Sequence, residues 1–250
     1  MKCKKICIYI CTAVVILCVG CSQNYRSIKR MQELEEGVDS PASIDEIKSA
    51  IEKYEDRVED IMIAQQQIGI WYKLLGSRYI DQATRTRDTM MYGEALKAFQ
   101  KAIEYYPANP NLYYYVGLCA GYMAKSALDY EGIGSATKKY NYLKLSESGY
   151  LRAVELRPNY GRALYGLGVL YVFELDEPEK AIPYLERFVE LEKYDTDGMF
   201  VLARAYYSTY QTDKAVEMYD RIIETTSSDE KKANALANKK IVLDAAYVQQ

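Results

Sequence analysis

The clearest pattern of apolar and polar positions lies at residues 150–171, YLRAVELRPNYGRALYGLGVLY. Apolar and small residues recur at helical spacing on both sides of Pro158, which cannot continue a helix. We therefore predict that one helix ends before Pro158 and a second begins after it. Ala153, one turn after Tyr150, and Gly168 are small residues that allow helices to approach within ~8–10 Å. The segment predicts two helices packed back to back, in a unit suited to stacking.

Two capping boxes open further helical segments. Ser43 with Glu46 begins the first, and Ser227 with Glu230 begins the second, which runs to about Val248. Apolar residues of the first segment keep helical spacing while its Glu and Lys residues predict one solvated face; they are Ile44, Ile47, Ile51, Val58, Ile61 and Met62. In the last segment, residues four apart predict one packing stripe, formed by Ala233, Ala237, Ile241 and Ala245.

The two-helix pattern occurs four times. The positions that recur in the first helix of each copy are Tyr72, Leu75, Gly76 and Tyr79; Tyr113, Val116, Gly117 and Ala120; Leu164, Leu167, Gly168 and Tyr171; Met199, Leu202, Ala203 and Tyr206. Those of the second helix are Ala95, Phe99, Ala102 and Pro107; Ser146, Tyr150, Ala153 and Pro158; Ala181, Leu185 and Phe188; Ala215, Tyr219 and Ile222. These residues resemble the tetratricopeptide repeat, W-x2-L-G-x2-Y followed by A-x3-F-x2-A-x4-P.

The spacing of the copies agrees with this resemblance. Ala181 and Ala215 are 34 residues apart, which is the period of the tetratricopeptide family. The resemblance implies an all-α fold, a right-handed superhelix (α-solenoid) of helix pairs. We expect repeats at about 69–109, 110–160, 161–195 and 196–227, and a capping helix at 228–248, within a helical domain at 43–250.

The N-terminus reads as a targeting segment. Three lysines precede the apolar run ICIYICTAVVILCVG, which is shorter than the ~20 residues that span a bilayer. We predict a signal peptide at 1–20, with an uncleaved signal anchor as the alternative. Residues 18–21, CVGC, resemble the lipobox of bacterial lipoproteins, which implies lipidation at Cys21. A polar tether at 21–42 would follow, and the protein would lie in the bacterial cell envelope, facing the periplasm or the cell surface.

Composition limits the chemistry. Cleavage and lipidation would leave Cys119 as the one free thiol, so no disulfide framework is expected. The chain contains no histidine, which removes the usual catalytic triads and zinc sites. Its net charge of −3 argues against nucleic acid as a partner. We expect no catalytic residue, no metal and no cofactor.

The resemblance also implies a binding surface. In this family the first helix of each pair lines a concave groove, and the residues predicted to line it here are Tyr114, Leu118, Tyr122, Tyr165, Val169, Phe173, Phe200, Arg204 and Tyr207. Some tetratricopeptide proteins grip a C-terminal carboxylate in this groove. That clamp is not expected here, because Tyr114, Leu118, Tyr165 and Val169 occupy its polar positions. The alternative is that these aromatics only fill the inside of the superhelix.

The second repeat carries an insert. Pro107 and Pro158 are 51 residues apart, about 17 more than one period, so we predict a protruding lip at about 121–145. Its segment GIGSATK at 132–138 lacks the ending and the preceding strand of a phosphate-binding loop.

The sequence thus predicts a lipid-anchored scaffold that binds a protein or peptide in an aromatic groove. Two alternatives stay open: an accessory protein of a periplasmic transport system that binds a hydrophobic small molecule, and a structural spacer without a ligand. Self-association is also left open.

Overall fold

The structure is a computed structural model that describes residues 44–127 and 135–248. The predicted signal peptide, Cys21, the tether and the phosphate-loop-like glycines of the insert lie outside these residues. Every element in the described part is helical, which confirms the predicted all-α class. The helices are α1 (Ile44–Thr86), α2 (Met90–Tyr105), α3 (Pro110–Ser126), α4 (Ser135–Leu156), α5 (Gly161–Val169), α6 (Pro178–Leu191), α7 (Thr196–Ser208), α8 (Thr212–Thr225) and α9 (Asp229–Val248).

Contacts divide the chain into two units, Met1–Met62 and Ile63–Gln250. The described part of the first unit is the N-terminal portion of α1, where Ile51, Val58 and Ile61 are exposed. In the second unit, consecutive helices from α2 to α9 pack against each other in order. No helix in the described residues is both long enough and apolar enough to cross a bilayer.

The turns follow local sequence signals. Helix α4 ends at Leu156 and α5 begins at Gly161, so the predicted turn at Pro158 is confirmed. Asn109 caps α3 by accepting a hydrogen bond from the Asn111 backbone N–H at 3.0 Å, and Pro110 follows at the first helical position. Helix α5 widens into a π-helical turn, Leu170–Glu174, before it ends.

Small residues let paired helices interlock. A Cβ atom at Gly76 would lie 2.8 Å from the Phe99 ring, and one at Gly168 would lie 2.2 Å from Leu185 Cδ2. Gly117 likewise leaves room for a large side chain of the second helix of its pair. The close approach predicted at Gly168 is therefore confirmed, and the same arrangement occurs in three successive pairs.

The stripe predicted on the last helix is wrong. Ala233, Ala237 and Ile241 are exposed, whereas Ala235 and Val242 are buried. Apolar residues occur around the whole circumference of α9, so its own pattern does not select one face. Packing of α9 on α8 instead buries Ala235 and Val242, which are seven residues, or two helical turns, apart.

Candidate functional site

A cavity of about 260 Å³ lies among α3, α4 and α5, and we name it the aromatic cavity. Four tyrosines dominate its lining. The complete lining is Tyr114, Leu118, Gly121, Tyr122, Lys125, Ser146, Tyr150, Arg162, Tyr165, Gly166, Val169, Leu170 and Glu174. Residues four apart share a helix face, which explains why α3 contributes positions 114, 118 and 122, and why α5 with its π-helical turn contributes positions 162, 166 and 170.

Tyr150 of α4 forms a buried wall of the aromatic cavity, with 6% of its surface exposed. It reaches this position between two glycines: a Cβ atom at Gly117 would lie 2.6 Å from its ring, and one at Gly166 would lie 2.8 Å from it. Ser146, one turn earlier on α4, donates a hydrogen bond from Oγ to the Gly117 carbonyl oxygen at 2.7 Å. These contacts fix α4 against α3 beneath the cavity.

Tyr114 is held by its neighbours. Its ring centroid lies 5.9 Å from that of Tyr150 and 5.6 Å from that of Tyr160, distances typical of favourable aromatic pairs. The Tyr160 hydroxyl donates to Asn111 Oδ1 at 2.7 Å, which fixes the outer ring. Because neighbouring side chains already hold these rings in place, the binding of a stacked ligand costs the tyrosine side chains little conformational entropy.

The electrostatics of the aromatic cavity are set by burial and by cations. Burial raises the pKa of Tyr114, and the nearby Arg162 guanidinium opposes that rise. Lys125 is the second cation of the lining. The one carboxylate among the described lining residues is that of Glu174, which lies 3.4 Å from Lys139 Nζ and forms an ion pair with it. In the described residues, no group of three or more Cys, Asp or Glu side chains is arranged to hold a metal ion.

A second cavity, of about 300 Å³, lies among the end of α5 and helices α7, α8 and α9, and we name it the C-terminal cavity. Phe173 enters it from the π-helical turn and is 58% exposed. The ring centroids of Phe200 and Tyr219 are 6.2 Å apart in its wall. The lining consists of Phe173, Phe200, Val201, Arg204, Tyr207, Tyr219, Asn238, Ile241 and Val242.

The structure divides the nine predicted groove residues between these cavities. The aromatic cavity contains Tyr114, Leu118, Tyr122, Tyr165 and Val169. The C-terminal cavity contains Phe173, Phe200, Arg204 and Tyr207. Their role in binding stays a prediction.

Sequence reasoning missed Tyr150 and the two cations of the aromatic cavity. Arg162 lies one turn before Tyr165, and Lys125 lies one turn after Tyr122. Following each predicted helix face for one more turn would have found both. No comparable signal identifies Tyr150, because it belongs to the second helix of its pair and enters the cavity from α4.

A third, more open surface lies on α1 within the second unit. Its volume is about 470 Å³, and Trp71, its most exposed large apolar residue, is 64% exposed. Its lining is almost entirely apolar and consists of Ile68, Trp71, Tyr72, Leu74, Leu75 and Arg78.

Comparison with known proteins agrees with this architecture. Residues 161–195 and 197–225 each match a model of the tetratricopeptide repeat. Over 204 residues the chain is 24% identical to a TPR repeat-containing protein of Borreliella burgdorferi, a match that covers 81% of this chain and 83% of that protein. These matches identify tetratricopeptide repeats at residues 161–195 and 197–225, and the chain as a whole is similar to a tetratricopeptide repeat protein.

Two solved structures share the fold. YrrB, described as a TPR protein with an unusual peptide-binding site, aligns with a TM-score of 0.51 at 23% identity and covers 68% of this chain and 76% of its own. MamA from Desulfovibrio magneticus RS-1 aligns with a TM-score of 0.51 at 16% identity and covers 73% of this chain and 97% of its own. The predicted tetratricopeptide solenoid is confirmed as the fold.

Proposed function

We propose that this protein is a non-catalytic tetratricopeptide scaffold that binds a segment of a protein partner in the aromatic cavity. The observation that carries the proposal is the pre-ordered aromatic wall, in which Tyr114 packs against Tyr150 and Tyr160. Rigid aromatic side chains bury much area at low entropic cost and are common anchors of protein interfaces. The C-terminal cavity offers a second anchoring point through Phe200 and Tyr207.

The proposal includes attachment to a membrane. The basic N-terminus, the short apolar run and the sequence CVGC support lipidation at Cys21 and an extracytoplasmic location in the bacterial envelope. In fractionated cells, the full chain should then be found with membranes. A Cys21→Ala variant should differ from it both in signal-peptide processing and in retention by the membrane fraction. Ser22→Ala is the neighbouring control. Equal fractionation of all three proteins, with no lipid mass on the N-terminal peptide of the wild type, would contradict the anchor.

Partner capture tests the binding role. The variant Tyr165→Ala with Tyr207→Ala alters both cavities, and Tyr194→Ala with Tyr247→Ala removes two tyrosines that are 85% and 83% exposed and line neither cavity. In a pull-down from detergent-solubilised membranes of the native cells, the cavity variant should lose a partner that the wild type and the control variant retain. Circular dichroism must show that all three proteins are folded. Identical partner sets would contradict the proposal.

A small apolar ligand is the second candidate. The C-terminal cavity, at about 300 Å³, lies at the lower end of the roughly 300–1,000 Å³ range of small-molecule sites, and the aromatic cavity, at about 260 Å³, lies just below it. Native mass spectrometry of the purified protein distinguishes this candidate, because a bound small molecule would add a discrete mass that the cavity variant lacks.

A further inference from the structure

Each of the two cavities contains at least one cationic side chain that lies beside aromatic residues and forms no ion pair with any described residue. Lys125 and Arg162 line the aromatic cavity, and Arg204 lines the C-terminal cavity. Among the described residues, none of the three forms an ion pair. In contrast, Lys231 Nζ lies 2.7 Å from Asp197 Oδ1 on α7. The cavities are therefore places where cationic side chains are left available.

Acidic side chains do not balance these cations within the linings. Glu174 is the one carboxylate of the aromatic cavity and is held by Lys139, while the described residues that line the C-terminal cavity include neither Asp nor Glu. The chain as a whole carries a net charge of −3. Both cavities thus combine apolar walls with positive charge on an acidic protein, which favours an anionic ligand.

The positions of the cations constrain the ligand. Arg162 lies near Tyr114, since its charge affects that hydroxyl, whereas Lys125 follows Tyr114 by eleven residues on α3. At the helical rise of 1.5 Å per residue, the backbones of Tyr114 and Lys125 are ~16 Å apart along α3. An extended peptide advances ~3.3 Å per residue and spans this distance in about five residues. Two acidic residues about five positions apart in one segment can therefore each contact one of the two cations.

We infer that the aromatic cavity recognises an extended acidic peptide segment, in which bulky apolar residues lie between two carboxylates about five residues apart. This inference rests on the proposed function and adds the chemistry of the partner. The apolar side chains stack on Tyr114 and Tyr165, one carboxylate accepts hydrogen bonds from the Arg162 guanidinium, and the other pairs with Lys125. Arg204 provides the same combination of charge and aromatic surface in the C-terminal cavity.

The test uses three synthetic peptide pools on the full chain in detergent. All pools share Phe, Leu or Tyr at the inner positions, have acetylated and amidated ends, and differ only at two positions five residues apart, which are Glu, Gln or Lys. Fluorescence anisotropy of the labelled pools is measured at 50 and 300 mM NaCl. The Glu pool should bind about tenfold tighter than the Gln pool at low salt, the advantage should shrink at high salt, and the Lys pool should bind weakest.

Charge variants identify the residues responsible. Arg162→Gln and Lys125→Gln should each reduce binding of the Glu pool toward that of the Gln pool. Arg152→Gln is the matched control, because Arg152 is paired with Glu155 at 2.6 Å and lines neither cavity. It should bind like the wild type.

The outcomes separate this inference from the proposed function. If Tyr165→Ala with Tyr207→Ala abolishes binding but the Glu pool has no advantage, or if Arg162→Gln and Lys125→Gln have no effect, the acidic-segment inference is wrong and the binding role stands. If no pool binds, or if the tyrosine variant binds all pools like the wild type, both are overturned.

Discussion

Substituting Gly168 by Ala should destabilise the protein, although alanine is the better helix former. A new Cβ would lie 2.2 Å from Leu185 Cδ2 and 2.5 Å from Leu185 Cγ, far inside ordinary van der Waals contact. Leu185 is completely buried, so its side chain cannot move into solvent. Overpacking of this kind costs about 1–3 kcal/mol, whereas replacing glycine by alanine in a helix gains about 0.5–1 kcal/mol. We expect a net loss of about 1–2 kcal/mol in the free energy of unfolding.

Gly93 offers the matched control. It lies in α2, and a Cβ there would meet only Met123, at an ordinary 3.5 Å. Gly93→Ala should therefore stabilise the protein by about 0.5–1 kcal/mol. Urea unfolding followed by circular dichroism at 222 nm compares both variants with the wild type. Equal or greater stability of Gly168→Ala would refute the argument that this helix pair is held at close contact.

Three further predictions concern a turn, a thiol and a tyrosine. Tyr210 has φ of 60° and an 82% exposed side chain, so Tyr210→Gly should raise the free energy of unfolding by about 1 kcal/mol in urea titrations, whereas a decrease would contradict strain at this turn. Cys119 is buried, and burial raises the pKa of its thiol to about 12. Mass spectrometry should therefore find the Cys119 peptide unlabelled by iodoacetamide at pH 8 until the protein unfolds. Rapid labelling of Cys119 in the native protein would contradict its burial. Burial also raises the pKa of Tyr160 to about 12, so the contribution of Tyr160 to stability should be complete below pH 10 and decline between about pH 10 and 12. Over this pH range the urea midpoint of Tyr160→Phe should fall less steeply than that of the wild type. Equal slopes for the two proteins would contradict the pKa shift.

The sequence was most informative where a local rule determines the structure. Pro158 has no backbone N–H to continue the helix before it, and Gly168 marks a close helix contact because no side chain intervenes. Both features were predictable, and both are present. The repeated pattern of small and large residues also identified the class of fold, since each helix pair uses the same interlocking.

Features that depend on distant neighbours were not predictable. The α9 stripe failed because Ala235 and Ala237 are equally suitable for packing, and only contact with α8 selects Ala235. The wall formed by Tyr150 requires α4 to lie against both α3 and α5, with glycines at Gly117 and Gly166 making room. Spacing along one helix contains no information about such an encounter.

The central claim is that the aromatic cavity contacts a protein partner, and photocrosslinking in living cells tests it most directly. Benzoylphenylalanine would replace Tyr122, which lines the cavity and is 40% exposed, or Tyr194, which is 85% exposed and lines neither cavity. The account predicts that irradiation links a discrete protein to position 122 and not to position 194, and that adding Arg162→Gln weakens this product. Crosslinks of equal identity and yield at both positions, or none at position 122, would contradict it.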